Sequence, residues 1–115
     1  MKIIEAYTYR DGGITYVVVD KGAKKDEYAI DYSLPSDGRP RKVSKVYRNG
    51  NKSEYEIGSE QEKSVCLLIK ELAENELGKE KLSAVIAGED KPPPGDLWFY
   101  VCNFIEITTK EGRYA

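Results

Sequence analysis

Six cationic side chains and no acidic one stand between Arg39 and Lys52: Arg39, Arg41, Lys42, Lys45, Arg48 and Lys52. Tyr47 sits among them. Cations neutralise phosphates and a ring gives a base something to stack on. The combination therefore suits an anionic ligand: a phosphate-bearing small molecule, the acidic patch of a partner protein, or a nucleic acid. Strand alternation places Arg41, Val43, Lys45 and Tyr47 on one face and Lys42, Ser44, Val46 and Arg48 on the other. The same run also reads as an exposed edge strand kept from aggregating by its charges, with Arg39, Arg41 and Arg48 paired to Glu54 and Glu56 across a hairpin.

Other chemistry is limited by what the chain lacks. It has no histidine, which excludes Ser–His–Asp and Cys–His arrangements and removes the commonest metal ligand. The two cysteines, Cys66 and Cys102, are too few for a zinc site and read as buried free thiols beside apolar neighbours. Asp11-Gly12-Gly13 has neither the spacing nor the following helix of a phosphate-binding loop. Glu54 with Glu56, and Glu71 with Glu74, share solvated faces, where a general acid would lack the burial that tunes it. A histidine-independent enzyme, such as a ribonuclease built on Arg, Lys and Tyr, would carry a positive net charge, whereas this chain carries −2. The expectation is a non-enzymatic protein with no cofactor, no metal and no catalytic residue.

Charge is distributed unevenly. Residues 1–53 hold 11 basic and 7 acidic side chains, and residues 54–96 hold 5 basic and 11 acidic. The acidic half raises a mirror-image possibility, in which Glu71, Glu74 and Glu80 imitate phosphates and inhibit a nucleic-acid-handling enzyme. Such mimics carry far more negative charge, and the solvent face of a helix accounts for these residues.

The elements that would position these groups are most clearly marked at Ser59–Gly78. Ser59 and Glu62 make a capping box, Glu60 and Glu62 suit the helix N-terminus, and Gly78 suits its end. Val65, Cys66, Leu68, Ile69, Leu72, Ala73 and Leu77 share one half of the cylinder, a width that calls for a sheet as cover. Before this helix, residues 3–10 and 14–20 read as a hairpin, and residues 27–34 as an alternating third strand. Residues 41–48 and 53–57 flank Asn49-Gly50, a strong hairpin signal. After it, residues 79–88 read as a short second helix, Pro92-Pro93-Pro94 as a stiff connector, and Leu97–Thr108 as a closing strand apolar on both faces.

The predicted architecture is thus α+β over residues 1–115 as one domain: a largely antiparallel, twisted sheet of about six strands packed on one main helix. Residues 3–5 begin no signal-like apolar stretch and no segment is long enough to span a membrane, so a cytoplasmic location is expected. Thirteen lysines and thirteen glutamates beside one glutamine are a balance enriched in proteins from hot environments. Nine tyrosines, most of them in predicted strands, make a homodimer built through a two-fold interface an expectation. The leading functional reading is a binding module that contacts an anionic partner or phosphate-bearing ligand through Arg39, Arg41, Lys42, Lys45, Tyr47, Arg48 and Lys52. Nucleic-acid binding by the same hairpin is the alternative.

Overall fold

The computed structural model describes residues 1–8, 13–33 and 36–110. Five strands come first, β1 Lys2–Thr8, β2 Ile14–Asp20, β3 Lys25–Asp31, β4 Ser44–Val46 and β5 Lys52–Glu54, and they form one antiparallel sheet in the order of the chain. Three helices follow, α1 Glu60–Leu77, α2 Lys79–Ile86 and α3 Asp96–Lys110. The fold is α+β, as the pattern predicts, with five strands. The predicted Tyr9, Arg10 and Leu34 strand ends and the Asp11-Gly12 turn lie outside the described residues.

Alternation decides which face of the sheet is buried. Ile3, Ala6, Val17, Val19, Tyr28 and Ile30 point into one apolar core with α1, α2 and α3. On β1 the alternation is interrupted by a bulge between Ile3 and Glu5, which leaves Ile4 without a partner in the ladder. Strands β4 and β5 are only three residues each, shorter than the apolar pattern suggests. Val43, just before β4, is nonetheless fully buried, and its carbonyl accepts from the Tyr55 amide at 2.9 Å. Gly50 closes the β4–β5 turn at φ 85°, a conformation that favours glycine, while its amide donates to the Tyr47 carbonyl at 2.9 Å.

Helix α1 starts and stops where its caps require. Ser59 Oγ accepts from the Glu62 amide at 3.2 Å, and Glu62 Oε1 accepts from the amide of Gly58, one residue earlier than a capping box implies. Gly78, at φ 89°, donates to the Glu74 carbonyl and accepts from the Leu82 amide, so one glycine ends α1 and begins α2. Of the seven apolar residues expected on the buried side of α1, Leu68 and Leu77 are half-buried and the other five are buried.

The closing element is the correction. Residues 96–110 are helix α3, so the segment predicted as the sixth strand is a helix. Val101, Phe104, Ile105 and Thr108 repeat at helical spacing and are all at most 1% exposed. Phe99, which a strand would bury, is 57% exposed. A long run of aromatic and β-branched residues favours a strand locally, but a helix buried along most of its circumference needs apolar residues on nearly every side. Tertiary burial overrides local propensity here. Helix α3 lies against β1 and β2, and Asn103 Nδ2 donates to Thr15 Oγ1 at 3.1 Å. Helix α1 reaches β1 and packs on α2 and α3. The sheet therefore rests on α3 as well as α1, and the main-helix picture needs both.

Cys66 and Cys102 are free thiols buried on α1 and α3. Burial, assisted by the charge of Glu106, pushes the Cys102 thiol up to about 11. The native protein is accordingly expected to leave both thiols unreacted with a chromogenic disulfide reagent near pH 8, and the unfolded protein to react at two sites. One rapidly titrating native thiol would contradict this packing. Among the described residues no helix is long and apolar enough to cross a membrane.

Candidate anion-binding face of the sheet

The face of the sheet turned away from the helices carries Tyr7, Tyr16, Val18, Glu27, Ala29, Ser44, Val46, Lys52 and Glu54. Two hollows border it, the larger also reaching Asp26 and Lys45 of the core side, and no helical residue lines either one. This face is not flat. Lys52 on β5 holds its ammonium 5.2 Å from the centre of the Tyr16 ring on β2. Three strand spacings amount to about 14 Å on a flat sheet, so the two side chains meet only because the sheet curls toward them. Ala29 and Ser44 follow Tyr16 in register toward Glu54, two residues along β5 from Lys52, and both are small and buried. Tyr7 stacks beside Tyr16 with ring centroids 4.9 Å apart and planes 9° from parallel, and its hydroxyl donates to Glu27.

The meander sets which turns share an end. Strand β2 runs toward the β2–β3 turn and β4 toward the β4–β5 turn, and the register Val18–Glu27–Val46–Lys52 brings both turns to one end of the sheet. There a hollow of about 990 Å³ is lined by Tyr7, Tyr16, Lys24, Lys25, Glu27, Tyr47 and Arg48, among others. The opposite end carries a smaller hollow of about 470 Å³, lined by Arg39, Arg41, Lys42 and Lys52 together with Asp31, Asp37 and Glu54.

The seven residues singled out by the sequence thus divide between the two ends, and they differ in what already holds them. Arg39 is exposed and pairs with Asp37, not with Glu54 or Glu56, and its amide and guanidinium hold the Asp37 carboxyl below its ordinary range. Arg41 donates to the Tyr32 carbonyl at 2.9 Å. Lys45, paired with Tyr28 on the core side of the sheet, holds its ammonium 3.7 Å from Asp26 and 5.8 Å from the Tyr47 ring centre. Lys42 and Arg48 are exposed, and no ion pair among the described residues takes up either one. Tyr47 is 49% exposed.

Asp26 anchors the turn end. Its carboxylate is buried and receives Lys21 Nζ at 2.7 Å, while the Tyr28 hydroxyl, which itself accepts from Lys21 at 3.1 Å, lies 3.4 Å away. The Lys21 hydrogen bond outweighs burial and holds the Asp26 carboxyl below its usual range, and the same bond raises the Lys21 ammonium. Tyr55, close by, is raised by its own burial. Among the described residues no three His, Cys, Asp or Glu side chains are grouped to hold a metal ion.

Sequence reasoning missed Lys24 and Lys25, which fall between its predicted second and third strands, and the Tyr7–Tyr16 pair. The signal was present in the meander order. In successive antiparallel strands the second and fourth turns lie at one end, so the lysines of the β2–β3 turn must approach Tyr47 and Arg48.

Comparison with protein-family models, curated proteins and solved structures finds no match. The geometry alone carries the functional reading.

Proposed function

We propose that the chain is a non-enzymatic binding module that presents the helix-free face of its sheet, and the Arg39–Lys52 segment above all, to an anionic partner or phosphate-bearing ligand. One observation carries this reading: of the two acidic residues lining the turn-end hollow, Asp26 is already ion-paired and Glu27 is hydrogen-bonded by Tyr7, while three neighbouring cations have no ion pair among the described residues. Asp26 is held by Lys21 and Lys45, and Glu27 accepts from Tyr7. Lys24, Lys25 and Arg48 stand on the rim with no ion pair among the described residues.

The test uses a polyanion without shape of its own. Titration calorimetry with medium-chain polyphosphate is expected to show binding that weakens steeply as salt is raised. The K42E/R48E double variant is expected to lose about tenfold in affinity or more. Both side chains are exposed, so its melting temperature should move by no more than a few degrees. Absence of binding at low salt, or a double variant that binds like the parent, would overturn the reading.

A further inference from the structure

The two hollows bordering the helix-free face among the described residues are not equivalent. At the smaller one, Asp31, Asp37 and Glu54 intermingle with the cations, and Arg39 is committed to Asp37. The larger one has the volume of a small-molecule site. It gathers cations from two separate turns, Lys24 and Lys25 from one and Arg48 from the other. Its lining includes Tyr47, an aromatic residue about half exposed, with the Lys45 ammonium 5.8 Å from the ring centre. Its floor is set: Tyr16 is 6% exposed between Tyr7 and Lys52, and Tyr7 is anchored to Glu27.

We propose that this turn-end hollow accepts a nucleotide unit, with the phosphate on Lys24, Lys25 and Arg48 and the base against the Tyr47 ring. The proposal rests on the anion-binding reading above and narrows it to one ligand chemistry. Phosphate alone explains the cations but leaves the exposed ring without a role. An acidic protein patch would spread over a convex rim, whereas Lys24, Lys25 and Arg48 line a hollow and have no ion pair among the described residues. A base stacked on tyrosine uses both features, because every base offers a flat face whatever its sequence. Such a unit belongs either to a free nucleotide or to a single strand.

The experiment compares three probes by fluorescence anisotropy or calorimetry at one low salt concentration: a nucleoside monophosphate, a single-stranded oligonucleotide of mixed sequence, and an abasic phosphodiester strand of the same length. Base-bearing probes are expected to bind about tenfold tighter than the abasic strand. Tyr47→Ala is expected to abolish that difference, and Tyr47→Phe to keep it. The K24E/K25E double variant is expected to weaken all strands alike. Saturable binding of the monophosphate identifies a free nucleotide as the ligand. Binding confined to the oligonucleotide identifies a strand. Equal affinity for abasic and base-bearing strands, or an unaffected Tyr47→Ala variant, overturns the proposal. Retained polyphosphate binding in that case would leave the broader anion-binding reading in place.

Discussion

Phe104→Ala is expected to destabilise the fold by about 3–5 kcal/mol, the range for truncating a fully buried phenylalanine. Phe99→Ala, five residues earlier, is expected to change stability by about 0.5 kcal/mol or less. The contrast follows from helix α3, which leaves Phe104 0% exposed and turns Phe99 outward. A domain of this size is stabilised by about 5–15 kcal/mol in total, so the Phe104 variant would stand near the edge of unfolding. Chemical denaturation of both variants reads the difference directly. If the segment were the central strand that its composition suggests, Phe99 would be covered, and the two substitutions would cost similar amounts.

The second large effect is at Asp26. Removing its charge with Asp26→Asn leaves Lys21 and Lys45 without their shared carboxylate. Stripping one partner from a fully buried ion pair costs about 3–5 kcal/mol. Both ammonium groups here keep some contact with water, so a loss of about 2 kcal/mol at neutral pH is expected. Its pH dependence has a definite sign. The folded carboxyl titrates below its ordinary value of 3.8, so the stabilisation is complete above that value and is lost as pH falls through the lower, folded value. Lys21 titrates above its ordinary value of 10.5, so its share is complete below that value and is lost only as pH rises through the higher, folded one. Parent and variant should therefore differ most between these limits and converge in acid. A gap that stays constant down to pH 2 (roughly the lower end of native carboxylate titration) would show that the carboxylate is not what holds the turn.

The sequence made some of this architecture legible through signals that are local. Ser59, Glu62 and Gly78 mark α1 because caps act within a single turn, and Asn49-Gly50 marks the last hairpin because that turn needs a glycine at positive φ. Leu97–Thr108 was misread because its apolar run satisfies both periods at once, and only length separates the two outcomes. Strands longer than about 8 residues are uncommon and helices of 10–12 or more are ordinary, a criterion that favours the helix found at Asp96–Lys110.

The candidate site divides in the same way. The cationic run from Arg39 to Lys52 is visible as composition, and its alternation holds through β4, where Lys45 pairs with Tyr28 on the core side while Ser44 and Val46 pair with Ala29 and Glu27 on the other, but β4 spans only Ser44–Val46. The register puts Lys45 on the same side as Asp26, which it reaches, while Arg48 and Lys42 are exposed with no ion pair among the described residues. Curl of the sheet is a property of five strands together. No stretch of sequence announces that Lys52 will sit over Tyr16.

The central claim is that the helix-free face, and not the helical layer, meets an anion. Backbone amide shifts recorded during titration with polyphosphate test it most directly. Perturbations are expected at Lys24, Lys25, Lys42, Tyr47, Arg48 and Lys52, with α1 and α3 unmoved. Shifts that concentrate on the helices, or no shifts at low salt, would contradict it.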